Sequence, residues 1–199
     1  MITVYGFVPL DRSGRVRWLL LELGVPFEDH WLDWRAGDPN SDWYRAMSPL
    51  GRVPAIKRPD GSSMCESAAI MTWLGQTHGE GSWKPSSHPD YPSWMSMASA
   101  SVDPPAFEFV RPDVPPEDRE ARRAQATRTM QRSILPALGK ALADRDSILP
   151  GGLCGVDLQI AASLHYVDNG GLLAEEPRLA EWLSAMRARP AAVKAGIFA

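Results

Sequence analysis

The chain has 199 residues, 44% hydrophobic and 23% charged, with a formal net charge of −3. Both signs of charge are interspersed, which argues against a duplex nucleic-acid partner, since that surface needs a basic face. No apolar run approaches the roughly 20 residues of a bilayer-spanning helix, and Cys65 and Cys154 lack the spacing of a disulfide framework or a metal site. A reducing, cytoplasmic setting is expected. Met1 to Val4 lead straight into a strand pattern, so no signal peptide is expected.

Ile2 to Tyr5 reads as a short buried strand closed by Gly6 and Pro9. Val16, Leu19, Leu20 and Leu23 then form one apolar stripe of a helix that stops at Gly24, with Asp11 or Ser13 available as its cap. Pro26 to Leu32 is the second strand, and a short helix is expected over Asp42 to Met47. Val53 to Lys57 is a third strand. Pro59-Asp60-Gly61 is a turn that pairs residues 62–65 back as a fourth. A helix starting at Glu66-Ser67 points Ile70, Trp73 and Leu74 inward. The order β-α-β-α-β-β-α combines a parallel unit with a terminal hairpin.

Residues 80–92, rich in Gly, Pro and Ser, read as a linker, and no strand pattern follows. Trp94, Met95, Ala98 and Val102 mark a helix ending near Pro104-Pro105. Pro115-Pro116-Glu117-Asp118 opens a long helix with acidic residues in its first turn, kinked at Pro136. Gly151-Gly152 precedes an apolar helix over about residues 155–166. Leu179, Trp182, Leu183 and Met186 form the next stripe, and Pro190 starts a short terminal helix. Trp18, Trp73 and Trp182 read as core. Residues 93–199 are expected to be all-helical.

Three signals in the first 80 residues bear on function. Gly51-Arg52-Val53-Pro54 enters a strand, and Pro54 is either an ordinary trans strand-opening proline or cis. The cis form turns the main chain of Val53 outward, where it can pair with a peptide ligand. Glu66-Ser67 at a helix start is either plain capping or a receptor for a group carrying both an ammonium and a carboxylate. Arg12, Arg15 and Arg17 follow Asp11. They either stabilise a thiolate or form a solvated helix face, and the solvated face is expected for at least two of them.

These residues carry a family resemblance. Ser48-Pro49-Leu50-Gly51-Arg52-Val53-Pro54 is similar to the Asn-Pro-x-Gly-x-Val-Pro segment of cytosolic-type glutathione transferases, with a bacterial flavour. Glu66-Ser67-Ala68-Ala69-Ile70 resembles their Glu-Ser-x-Ala-Ile helix start. Arg15-Val16-Arg17-Trp18 resembles their first helix, and Pro177 to Trp182 with Arg189-Pro190-Ala191 resembles their C-terminal helices. The resemblance implies an α/β thioredoxin-like N-terminal domain over residues 1–79 and an all-α C-terminal domain over 93–199. It implies glutathione as co-substrate, no metal, a homodimer, and addition of the glutathione thiolate to a small hydrophobic electrophile, a detoxification chemistry. Val53, before a cis Pro54, would bind the cysteinyl main chain, and Glu66 and Ser67 the γ-glutamyl end. Arg35, Asn40 and Arg52 are candidates for the glycine carboxylate, and Trp94, Phe107 and Phe109 either line an apolar co-substrate pocket or pack in the core.

The pattern is broken at one position. The family's usual thiol-activating Ser falls on Asp11, and a carboxylate facing a thiolate raises the thiol's pKa. Three readings follow. Asp11 is a helix cap, with Ser13 or a backbone N–H acting on a sulfur that points toward the turn of Asp11, Arg12 and Ser13; or Asp11 is protonated or acts as a base; or turnover is lost and the chain is a non-catalytic binding or assembly protein. A glutathione-dependent reductase is a further variant. A thioredoxin-type oxidoreductase is disfavoured because the first helix has no N-terminal cysteine.

Overall fold

The computed structural model describes residues 1–111 and 113–199. The chain divides into two compact units, Met1–Lys84 with Ala188–Ala199, and Pro85–Arg187. The first contains β1 (Ile2–Gly6), α1 (Ser13–Glu22), β2 (Phe27–Trp31), α2 (Asp42–Arg45), β3 (Ala55–Lys57), β4 (Ser63–Cys65) and α3 (Ser67–His78). This is the element order read from the sequence. The sheet runs β2-β1-β3-β4, with β1 and β2 parallel and β3 antiparallel to both its neighbours. β2 is an edge strand, and its exposed Glu28, Asp29 and His30 discourage a further strand from pairing there.

Val4 and Ile56 from the sheet pack with Val16, Trp18, Leu19 and Leu20 of α1 and with Ile70, Met71 and Leu74 of α3, all fully buried. The inward stripe of α3 is Ser67, Ile70, Met71, Leu74 and Gly75, at i, i+3, i+4, i+7 and i+8. Trp73 falls off that stripe. Contrary to the core role expected of it, it is half-buried, with the Arg58 guanidinium 5.5 Å above its ring.

The first unit is completed by a distant segment. Residues 188–199, expected in the helical domain, include α10 (Pro190–Ala195) and pack on α1. Arg189 donates to both Glu22 carboxylate oxygens, at 2.6 and 2.7 Å, and Phe198 stands edge-on to Trp18 at 5.3 Å. No periodicity in the sequence could reveal this, because amphipathic spacing tells which face is buried and not against what.

The second unit comprises α4 (Tyr91–Met97), α5 (Asp103–Phe107), α6 (Pro116–Thr129), α7 (Leu135–Ala141), α8 (Gly155–Asn169) and α9 (Pro177–Arg187), with no strand among its described residues. The expected helix end at Pro104-Pro105 is not observed. A π turn over Ala98–Val102 carries the chain into α5, which holds both prolines in its first turn. A second π turn, Met130–Ile134, stands just before Pro136 and breaks the long helix near the expected kink. Residues 80–92, within which the two units divide, form two 3-10 turns and bury Pro85 and His88.

Candidate functional site

The strand registers bring the sequence signals together. Tyr5 pairs with Ala55, Ala55 with Cys65, and Gly6 with Trp31. The chain therefore leaves β1 at Phe7, leaves β2 at Leu32, enters β3 from Val53-Pro54 and leaves β4 at Glu66-Ser67, all at one end of the sheet. Tyr5, Leu32, Tyr44 and Ala55 form the core beneath this end, with Phe7, Met47, Val53 and Cys65 packed against it.

The Val53–Pro54 peptide is cis, and pairing of β3 begins only at Ala55. The segment before it is clamped. The Arg52 carbonyl accepts hydrogen bonds from Tyr44 Oη and Ser48 Oγ, both at 2.8 Å, and Arg52 N–H donates to Ser48 Oγ at 3.1 Å. Burial, and next the negative charge of Asp11, push the Tyr44 phenol above its ordinary range, so it stays a donor. Tyr44→Phe is expected to cost about 1 kcal/mol in urea unfolding, because Ser48 still serves the same carbonyl. Ser48→Ala, which loses two bonds, should cost more; equal losses would show that the hydroxyls do not share this load.

Glu66 has a φ of 71°, and it is the non-glycine residue with positive φ among the described residues. A side chain held in that region costs about 1–3 kcal/mol and is tolerated where surroundings demand it, often at ligand sites. The exposed Glu66 and the N-terminus of α3, beginning at the buried Ser67, follow β4 at the same sheet end. The Glu66 carbonyl accepts from Ile70 N–H at 2.9 Å, which starts the helix.

The turn between β1 and α1 is built around Asp11. One carboxylate oxygen accepts from Phe7 N–H at 2.7 Å and Val8 N–H at 3.2 Å; the other accepts from Ser13 N–H at 2.6 Å and from the Ser13 hydroxyl. Asp11 thus caps α1 from two residues outside it. The Ser13 hydroxyl accepts from Arg17 Nη1, and that guanidinium pairs with Asp29 and lies 4.2 Å from the Trp31 ring centre. Two expectations are overturned here. Ser13 is 0% exposed and its proton is committed to Asp11, so it is not free to act on a sulfur. Arg15 and Arg17 are 1% and 2% exposed, so they are not a solvated face; for Arg17 the Asp29 carboxylate and the Trp31 ring supply the partners that a buried guanidinium needs. Gly6 makes this possible: a methyl there would lie 2.0 Å from Ser13 Oγ.

Residues 12–77 match the glutathione S-transferase N-terminal domain. Glutathione S-transferase PARB of Nicotiana tabacum is 23% identical over 206 residues, spanning 97% of this chain and 96% of the relative. The theta-1 glutathione S-transferase of Mus musculus is 28% identical over 180 residues, 82% of this chain and 73% of the relative. Residues 12–77 thus carry a glutathione S-transferase N-terminal domain, and the chain is similar over most of its length to glutathione S-transferases. The fold agrees. A glutathione transferase of Burkholderia graminis, solved with two glutathione molecules bound per subunit, superposes with a TM-score of 0.84 at 22% identity, over 98% of this chain and 86% of that one.

The other expected residues fall into two groups. Asn40 and Arg52 are exposed on neighbouring loops, because Gly51 packs directly against Pro39; Arg35 is exposed on the turn after β2. Asn40 Oδ1 already accepts from Arg45 Nη2 at 2.8 Å. In the helical unit, Phe109 is 6% exposed and packs on Gly170, so it belongs to the core and not to a substrate pocket. Phe107 is half-buried with its ring 6.1 Å from that of Tyr166, and Trp94 is half-buried on α4. Surface hollows along α6, lined by Arg119 and Arg123, and beside α1, lined by Leu20 and Val25, contain none of these residues. No group of three or more His, Cys, Asp or Glu among the described residues is arranged to hold a metal, and no helix is long and apolar enough to cross a membrane.

Sequence reasoning missed Tyr44 and Asp29. Tyr44 lay in the expected second helix, but its bond to Arg52 spans a loop that has no periodicity. Asp29 reads as an ordinary edge-strand charge until α1 is laid over the sheet.

Proposed function

We propose that this chain binds glutathione at the sheet end formed by Val53, Glu66 and Ser67 and adds its thiolate to a small hydrophobic electrophile. The observation that supports this most is the meeting of the unpaired lead-in to β3 with the strained Glu66 at the start of α3. Val53 would pair main chain to main chain with the cysteinyl residue, as an added strand does. The Glu66 carboxylate would face the α-ammonium group, and Ser67 with the positive end of α3 would take the α-carboxylate. Arg52 or Asn40 would meet the glycyl carboxylate. The glutathione held by the Burkholderia graminis relative supports the ligand. The same reading carries a homodimer and a cytoplasmic location, both from family resemblance.

A second reading, binding with little turnover, is favoured by one observation: the hydroxyl nearest the family's activating position is spent on Asp11. Retention on immobilised glutathione combined with a generic conjugation assay separates the two. Retention with turnover supports the transferase, retention without it supports the binding protein, and loss of both rejects glutathione altogether.

Glu66→Gly provides a sharper check. Glycine tolerates a φ of 71°, so the strain is relieved while the carboxylate is lost. Thermal unfolding is expected to rise by the equivalent of about 1 kcal/mol, while retention on glutathione falls. A variant that lost stability and kept its affinity would remove Glu66 from the site.

A further inference from the structure

We infer that the exposed face of α6 is an interface with a second copy of this chain, formed by two antiparallel α6 helices about a two-fold axis. The inference does not depend on the glutathione reading.

The first turns of α6 have no partner within the chain. Every residue from Pro116 to Gln125 is exposed, and the helix first buries side chains at Ala126 and Met130. A stretch that is polar all round leans on opposite charges four residues apart to stand alone. On the face that lines the surface hollow, the pair at that spacing is Arg119 and Arg123, which repel.

That face consists of Pro116, Arg119, Glu120, Arg123, Ala124 and Thr127, at i, i+3, i+4, i+7, i+8 and i+11. Main chain alone holds its two guanidiniums. Arg119 Nε donates to the Val114 carbonyl at 2.9 Å, and Arg123 Nη2 to the Phe109 carbonyl at 2.7 Å. Among the described residues neither meets a carboxylate, since Glu108 is taken by Arg111 and Arg122, and Asp113 by Arg111. Glu120, between them on the same face, has no ion pair among those residues either.

This pattern is its own complement. Laid antiparallel on a second copy, with the two-fold axis between residues 121 and 122, Glu120 meets Arg123, Arg119 meets Ala124 and Pro116 meets Thr127. Each contact occurs twice, as two-fold symmetry requires. The small Ala124 leaves room for the apolar stem of Arg119. A lone anion suits the face less well, because Glu120 stands between the two arginines. The partner must carry both signs in reversed order, and a second copy does. One helix face is small beside the roughly 1,200–2,000 Å² of stable interfaces, so the association is weak and reversible.

Sedimentation equilibrium of the full chain up to its solubility limit, alongside Glu120→Arg and Ala124→Glu, tests this. Both positions are exposed on α6, so the fold is expected to survive, and thermal unfolding checks it. Glu120→Arg turns two attractive pairs into two like-charged ones and should raise the self-dissociation constant about tenfold. Ala124→Glu sets a carboxylate against Arg119 of the second copy and should lower the constant about threefold. Non-specific self-repulsion gives the reverse order, because the first change brings the net charge of −3 toward zero and the second takes it further away. An interface elsewhere on the chain would add a step that neither substitution moves. The reverse order, equal constants in all three proteins, or a wild type that does not associate would each overturn the inference.

Discussion

Asp157→Ala is expected to destabilise the helical unit by about 2–6 kcal/mol, because two buried N–H groups lose their acceptor at about 1–3 kcal/mol each. Asp157 is fully buried in the first turn of α8. Its two oxygens accept from Ile148 N–H at 2.7 Å and Cys154 N–H at 2.8 Å, tying the preceding loop to the helix. Cys154, also buried, is a structural thiol pushed up to about 12, chiefly by burial. Urea unfolding of the full chain measures the loss. A change below about 1 kcal/mol would mean that the loop re-forms its hydrogen bonds elsewhere.

The same carboxyl sets a pH dependence. Burial raises its pKa from 3.8 to about 6, against the lowering effect of the two N–H donors. Between those values the folded chain holds a proton that the unfolded chain has released. The stability contributed is full below the unfolded value and is lost as pH rises through about 6. Asp157→Asn cannot titrate. The difference in unfolding free energy between wild type and this variant should therefore fall as pH rises from about 4 and level off above about 7. A constant difference would show that the carboxyl does not titrate in that window.

Gly51→Ala is expected to have the largest effect on the candidate site. Gly51 has a φ of 62°, and a methyl there would lie 2.2 Å from the Pro39 carbonyl oxygen. The left-handed conformation alone costs a side chain about 1–2 kcal/mol, and the collision is with main chain that cannot rotate away. The loop must move, and Arg52 and Val53 move with it. Retention on immobilised glutathione should drop sharply, with thermal unfolding lowered as well. Gly61→Ala serves as the comparison: its φ is 85° but open space surrounds it, so it should lose stability without losing retention. Equal retention in the two variants would separate the Gly51 loop from ligand binding.

These residues also show how far the sequence could be read. The strands and helices of the first unit follow from apolar alternation and glycine or proline punctuation, and the Val53-Pro54 and Glu66-Ser67 segments stand out as motifs in the chain. Their meeting at one sheet end depends on register, which a short strand such as Ala55–Lys57 cannot specify by pattern alone. The role of Asp11 was legible only as a choice among readings, since its partners Phe7, Val8 and Ser13 are chosen by the turn's shape. The burial of Arg15 and Arg17 was hidden because charged residues are normally expected outside. The prolines at 104 and 105 look like a helix stop in the sequence because a π turn leaves no mark in composition.

Residues 188–199 have a temporal implication. They cover Trp18 and fasten Glu22 through Arg189, yet they are made after the whole helical unit. During synthesis the sheet and α1 emerge early but remain without their outer layer until about a hundred further residues have left the ribosome. The nascent first unit thus spends that interval with an apolar flank uncovered, and its final closure is a late, long-range event in the life of the polypeptide.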